Sequence, residues 1–479
     1  MADKPSQTQA APVAAAVNGG DKRPNVKFLP SQIGSNDVSA PLPWTGNPWQ
    51  LVWGDIRLFF AVIGYLPVIF FPFSKNPGDE TYPEWNNVVQ IGWQIFLVIY
   101  QVAFVLSLPF CLAVPLGWFI VYCVTAICLN IPIWWIVNGF DPTVQSQPKI
   151  ASDKEHPDEY WIFINGVSVG RYWLQANVDR LAKIFGRPVT GIHNPTNGMI
   201  FDLIQCMVER NFGYSTQDVR DAYKLVKEAL MDEKRKKVML ILHSQGGIQG
   251  GLIVDWLLAE MPGDIMRKLE VYTFGCAANH FNNPHRSSGR LKDDEAAQRS
   301  HSKHKVIRYI EHYANDSDFV ANWGILNFAH IANRFMGRLL QREGMGHLLN
   351  QHYLNYMFPL GPDDRALETN EFMETDVSHS EHDQVPNREG FVASLCDILD
   401  GSSDEEDTAV VRDSDTTVNP VDGLLEFKKK LPKEVAEKLP RKPKVKDFSR
   451  LWQYRNGGTP EERRRAWKAR AGLPQADTE

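Results

Sequence analysis

From Val88 to Phe140 the chain carries no Asp, Glu, Lys or Arg. A helix needs roughly 20 apolar residues to cross about 30 Å of hydrocarbon, so this stretch has room for two, over 88–110 and 114–138. Pro109 and Pro115 fall near the turn between them. Ile56 to Phe73 is a shorter, almost wholly apolar run with Arg57 near its start. Trp85, Trp93, Trp118, Trp134 and Trp135 include several near the expected helix ends, where aromatic residues favour a membrane interface. The block 51–140 therefore reads as two or three membrane-anchoring helices. A hairpin that enters and leaves one leaflet, or a buried helical pair, fits the same pattern. Lys22, Arg23, Lys27 and Arg57 precede or open the first run, and Lys75, Asp79, Glu80 and Glu84 follow it, so charge leaves the topology open.

Elsewhere the composition is sharply uneven along the chain. A chain of 479 residues suits roughly two or three domains of about 150 residues each. A net charge of −6 gives no nucleic-acid footprint. The six cysteines are scattered without CxxC spacing, which argues against a disulfide framework or a zinc site. Residues 1–50 are rich in Ala, Pro and Ser and lack an apolar signal core, so they read as a disordered tail. Residues 361–479 read as a second, largely disordered tail. It is acidic at Ser402–Asp407, then basic from Leu424 to Leu473, with Lys428, Lys429, Lys430, Arg463, Arg464 and Arg465. Such a basic segment can rest on anionic headgroups.

Between 150 and 360 the pattern alternates. Strands are expected at Tyr160–Ile164, Pro188–Ile192, Lys237–Leu242, Leu269–Phe274 and Lys305–Tyr313. Helices are expected at Trp173–Phe185, Met199–Val208, Val219–Met231 and Gly246–Glu260. Strands separated by helices imply an α/β fold with a mostly parallel sheet.

The chemistry concentrates at Met239-Leu-Ile-Leu-His-Ser-Gln-Gly-Gly247. A buried strand runs into a turn and then a helix, the setting of a nucleophile elbow. A serine hydroxyl is a weak nucleophile until a base takes its proton. A sharp turn lifts Ser244 above the sheet and aims the amide of Gln245 at the same point, where the helix N-terminus favours an oxyanion. Leu242 stands where the G-x-S-x-G pattern has its first glycine, so a leucine side chain must be housed there. The bland alternative makes Ser244 a helix N-cap.

In this arrangement the acid follows the serine and the histidine comes last. Asp318, just past the strand ending near Tyr313, is the favoured acid and Asp316 its rival. Both also suit helix capping. His347, after Gly344-Met-Gly346, is the favoured base and His352 the alternative; His243 is set aside because a tight turn points it away. Gly166 in Ile164-Asn-Gly-Val167 permits close backbone approach, so the Val167 amide is expected to join that of Gln245 as an oxyanion hole. No metal or organic cofactor is required by such a site.

Phe163–Val167, Gly191–Thr196, His243–Gly247, Val271–Gly275 and Gly346–Leu354 together resemble a fungal group of membrane-associated α/β-hydrolase proteins of the serine esterase and lipase kind. The resemblance covers roughly residues 50–360. It implies an α/β-hydrolase fold and acyl-ester chemistry, and it implies no particular substrate. The expectation is an integral membrane protein with a cytosolic hydrolase domain, acting on an acyl ester or lipid through Ser244, His347 and Asp318. An acyltransferase using the same residues, and a silent membrane scaffold, are the rival readings. The polar segment Asn279–His304 is a candidate lid or a plain surface loop.

Overall fold

The computed structural model describes residues 26–29, 31, 42–148, 156–284, 305–331, 333–378 and 444–471. The strands are β1 (Val26–Leu29), β2 (Thr143–Gln145), β3 (Glu159–Ile164), β4 (Val189–Ile192), β5 (Lys237–His243), β6 (Leu269–Phe274), β7 (Tyr309–Ser317), β8 (Arg338–Met345) and β9 (Val377–Ser378). They form one sheet in the order β2-β4-β3-β5-β6-β7-β8-β1-β9. From β4 through β8 all neighbours are parallel. β2 adds antiparallel to β4, and β1 antiparallel to β8.

The central strand β5 is buried on both faces from Val238 onward, as a parallel strand covered by helices must be. The helices include α1 (Pro48–Val62), α2 (Trp85–Ser107), α3 (Leu116–Asn138), α4 (Arg171–Phe185), α5 (Met199–Phe212), α6 (Gln217–Met231), α7 (Gln245–Glu260), α8 (Gly263–Met266) and α9 (Phe319–Trp323). Gly186 and Gly213 end α4 and α5 in the left-handed region, where a residue without Cβ is least strained.

Three helical segments are long and apolar enough to cross a membrane: Pro48–Ile69, Trp85–Ala113 and Leu116–Asn138. The expected pair at 88–110 and 114–138 is thus found as α2 and α3, joined by a 3₁₀ turn at Leu108–Ala113. One face of α1 and one of α2 are docked on the α/β domain. α1 buries Leu51 and Asp55, and Asp55 pairs with Arg210 of α5. α2 buries Asn87, Gln90, Gln94, Leu97 and Gln101, a stripe at helical spacing.

Two expected boundaries are corrected. Residues 26–29, placed in the disordered tail, form β1. Val26 and Phe28 point into the core, and β1 covers an edge of β8 that would otherwise expose its ladder. The tail from 361 is likewise ordered in part. Glu371–Glu374 and Val377–Ser378 are regular, and Val445–Phe448 with Leu451–Gly457 pack under the sheet. There Arg450 pairs with Glu270 at 2.8 Å while Glu311 accepts the Arg450 amide at 2.8 Å. Arg450, within the basic stretch, thus serves the interior. The acidic run 402–407, Lys428–Lys430, Cys396 and residues 285–304 of the candidate lid lie outside the described residues.

Candidate active site

β5 delivers the chain into the turn at His243-Ser244, and α7 begins at Gln245. Ser244 adopts φ 59° and ψ −122°, a conformation that non-glycine residues enter only when the surroundings enforce it. The enforcement is visible. The Ser244 amide donates to Phe274 O at 3.1 Å, and its carbonyl accepts from Gly247 at 2.9 Å and Ala277 at 3.1 Å. Gly246 has no room for a side chain, because an added Cβ would come within 2.5 Å of Ile164 O. Leu242 is housed by Gly250, where a Cβ would meet the leucine Cδ2 at 2.8 Å. The glycine expected before the serine is therefore replaced by one six residues after it.

The structure brings Asp318 and His347 together. Nδ1 of His347 donates to Asp318 Oδ2 at 2.8 Å. The same oxygen accepts the Tyr353 hydroxyl at 2.5 Å, while Oδ1 accepts the amides of Val320 at 2.7 Å and Ala321 at 3.2 Å. Burial pushes the Asp318 carboxyl up, but His347 and these donors outweigh it, so it is held below its ordinary range. An ionised Asp318 fixes the proton on Nδ1 of His347. Nε2 then keeps its lone pair, the form a general base needs. Asp318 also caps α9, so its carboxylate serves the helix end and the His347 ring at once. Asp316 instead accepts the Gly344 amide at 3.0 Å.

The hydroxyl and the imidazole both lie beyond the carboxyl ends of the parallel strands, Ser244 after β5 and His347 after β8. Gly275, the residue after the Phe274 carbonyl that binds Ser244, lies under His347. A Cβ there would stand 2.9 Å from both His347 Cε1 and Nδ1. Ser244 Oγ and His347 Nε2 are both buried and both lack a hydrogen-bond partner, so no hydrogen bond joins them in this state. Catalytic hydrogen bonds are often long without substrate and tighten in the complex. Ser244 is 1% exposed, closed over by the surrounding loops.

His352 has a different place. Its Nδ1 accepts the Leu348 amide at 3.1 Å, and burial lowers its pKa to about 4. It braces the turn that carries His347. His243 braces the other side: its Nε2 donates to the His347 carbonyl at 2.8 Å, and its ring stacks on the His347 ring with centroids 4.7 Å apart. Burial lowers its pKa to about 3, so it stays neutral. Neither Tyr353 nor His243 carries a local sequence signal for these roles, because both partners come from distant elements.

The loop after β3 faces the serine directly. A Cβ on Gly166 would lie 2.7 Å from Ser244 Oγ. Asn165 locks the loop, donating to Asn194 O at 2.9 Å and accepting the Asn194 amide at 2.9 Å. Asn194 in turn donates to the Gln245 side chain at 2.8 Å, whose Nε2 donates to Glu209 at 2.9 Å. Among the described residues, the amides of Val167 and Gln245 donate to no protein acceptor. Burial raises the Glu209 carboxyl to about 7. Sequence reasoning missed this network, though polar residues on the inner face of amphipathic α5 are a readable sign of one. Among the described residues no cluster of His, Cys, Asp and Glu is arranged to hold a metal.

Comparison with protein-family models and with curated proteins finds no match to this chain.

Proposed function

We propose that this protein is a membrane-attached serine hydrolase with an α/β-hydrolase fold, cleaving an acyl ester. One observation carries the reading. An unpartnered serine hydroxyl at a strained strand–helix turn lies at the same buried end of the sheet as the free Nε2 of a histidine whose Nδ1 is held by an aspartate. Unpartnered buried polar atoms are rare in proteins and call for an explanation such as chemistry.

In this reading Ser244 Oγ attacks the ester carbonyl carbon as its proton passes to His347 Nε2. Asp318 keeps the imidazole in the required tautomer and stabilises its charged form. The amides of Val167 and Gln245 take the oxyanion. His347 then protonates the departing alcohol oxygen, leaving an acyl-serine. Water, deprotonated by His347, attacks the acyl carbon and frees the acid and the serine. The apolar helices beside the site favour an acyl lipid as substrate, since enzyme and substrate would share one surface.

The test is turnover of short- and long-chain p-nitrophenyl esters by the full chain in detergent and on phospholipid vesicles. Hydrolysis by the wild type that falls to background in Ser244→Ala supports the reading. Absence of turnover under both conditions favours the silent scaffold. Acyl transfer to an added alcohol in place of hydrolysis favours the acyltransferase.

A further inference from the structure

The apolar helices are long enough to cross a bilayer, yet both ends of the α1 segment and both ends of the α2–α3 hairpin are tied to one body. A helix that crosses puts its ends in different compartments. Before α1, Leu42 O accepts from Arg334 at 2.7 Å and Trp44 stacks on His280 at 3.8 Å. After it, Pro72 O accepts from Gln351 at 3.1 Å, and Glu80 accepts from Asn177 at 3.0 Å and from the Asn350 amide at 2.8 Å. Both ends of the α1 segment thus lie on the α/β domain.

The α2–α3 hairpin also starts and ends on the domain, so whether it crosses depends on how far its turn reaches and what the turn carries. At its start, Asn87 accepts from Trp173 at 2.8 Å. At its end, Asn138 donates to Thr196 O at 2.9 Å and accepts the Thr196 amide at 3.0 Å. Between them Gln94 donates to Ser168 O at 3.2 Å, and Gln101 bonds to Asn197 O. The helices are antiparallel, with Tyr100 donating to Ala126 O at 2.9 Å.

The turn of the hairpin is not built for water on a far side. Residues 106–116 carry no charge; Phe110 is 78% exposed and Leu112 91%. From Gln101, the last buried polar contact of α2, to Leu112 is a rise of about 17 Å at ~1.5 Å per residue. That is near half of the roughly 30 Å of hydrocarbon. The domain itself adds to the same apolar face: Ile204, Val208 and Phe212 form an exposed ridge on α5, which α1 and α2 both contact.

We infer that the protein is attached to a single leaflet: α1 lies along the domain, the α2–α3 hairpin dips into the hydrocarbon and returns, and no segment of 42–148 crosses. The partner surface is then one lipid monolayer thick. A phospholipid monolayer over neutral lipid, which excludes a spanning protein with a polar far loop, should hold this chain as well as a bilayer does. The inference is independent of catalysis, and Ser244→Ala should behave as the wild type.

Cys111 in the turn is a natural reporter. The full chain is reconstituted into sealed phosphatidylcholine vesicles with a membrane-impermeant maleimide either outside or trapped inside, and modification of Cys111 is read by peptide mass spectrometry. In parallel the chain is floated with triolein droplets coated by phosphatidylcholine. The expected result is no modification of Cys111 from either side, full modification after detergent, and flotation with the droplets. Modification by the trapped reagent, or retention on vesicles with exclusion from droplets, would overturn the inference. So would failure to bind either surface.

Discussion

Ser244 holds its backbone at φ 59°, ψ −122° against its own side chain. Such strain costs about 1–3 kcal/mol in a non-glycine residue and persists at functional sites because the surroundings impose it. Glycine carries no such cost. Ser244→Gly should therefore melt at a higher temperature than Ser244→Ala, both being inactive. Equal or reversed melting temperatures would mean that the turn is not strained. At the neighbouring histidines the structure shows different partners, Asp318 for His347 and the Leu348 amide for His352. His352→Gln should retain most turnover, because its ring accepts an amide hydrogen bond. Asp318→Asn should lower kcat by about 10⁴-fold, by analogy with loss of the orienting acid in serine hydrolases. A kinetic comparison in which the His352 variant is the more damaged would reverse the assignment. Ser244 and the pairing of an acid with a histidine were legible, since residue type and chain order are local facts. Tyr353 on Asp318 and His243 on His347 were not, since they depend on which loops meet.

Among the elements, β5 and α7 were the most legible, because a buried strand followed by small residues has few other fates. The exception was Leu242, whose accommodation by Gly250 requires knowing that α7 lies back along β5. The polar stripe of α2 was present in the sequence at Asn87, Gln90, Gln94 and Gln101, but absence of charge dominated the reading. Docking of α1 rests on a similar feature. Asp55 and Asn211 bond at 2.6 Å, and Asp55 also pairs with Arg210, which is buried over Trp323. Removing one partner of a buried ion pair leaves an uncompensated charge at a cost of about 3–5 kcal/mol. Asp55→Ala should lose stability on that scale in thermal or denaturant unfolding, and Arg210→Met added to it should recover part of the loss. A second substitution that deepens the loss would show that the pair is not what α1 relies on. Below the nucleophile helix, α5 supplies Glu209, raised to about 7 by burial. The folded state therefore holds this proton where the unfolded chain, titrating near 4.5, has released it. Its contribution to stability falls as pH rises from about 4.5 to about 7. Glu209→Gln lacks that loss, so its melting temperature relative to wild type should rise between pH 5 and pH 8. A constant or shrinking difference would remove Glu209 from the account.

At the scale of the molecule, the α/β pattern of 150–360 was readable while the two ends were not. β1 is four residues long, too short for periodicity to mark, and Leu451–Gly457 becomes ordered only against Glu270 and Glu311 of distant strands. The assembled protein places the apolar helices beside the serine end of the sheet and the ordered tail under the opposite end. Ser244 is closed to solvent in this structure. The most direct measurement is covalent labelling of the full chain by an alkyl fluorophosphonate, on phospholipid vesicles and in detergent, with the modified peptide identified by mass. The account predicts an adduct on Ser244, absent in Ser244→Ala and formed far more slowly in His347→Ala. A wild-type protein that stays folded and leaves Ser244 unmodified under both conditions would contradict it.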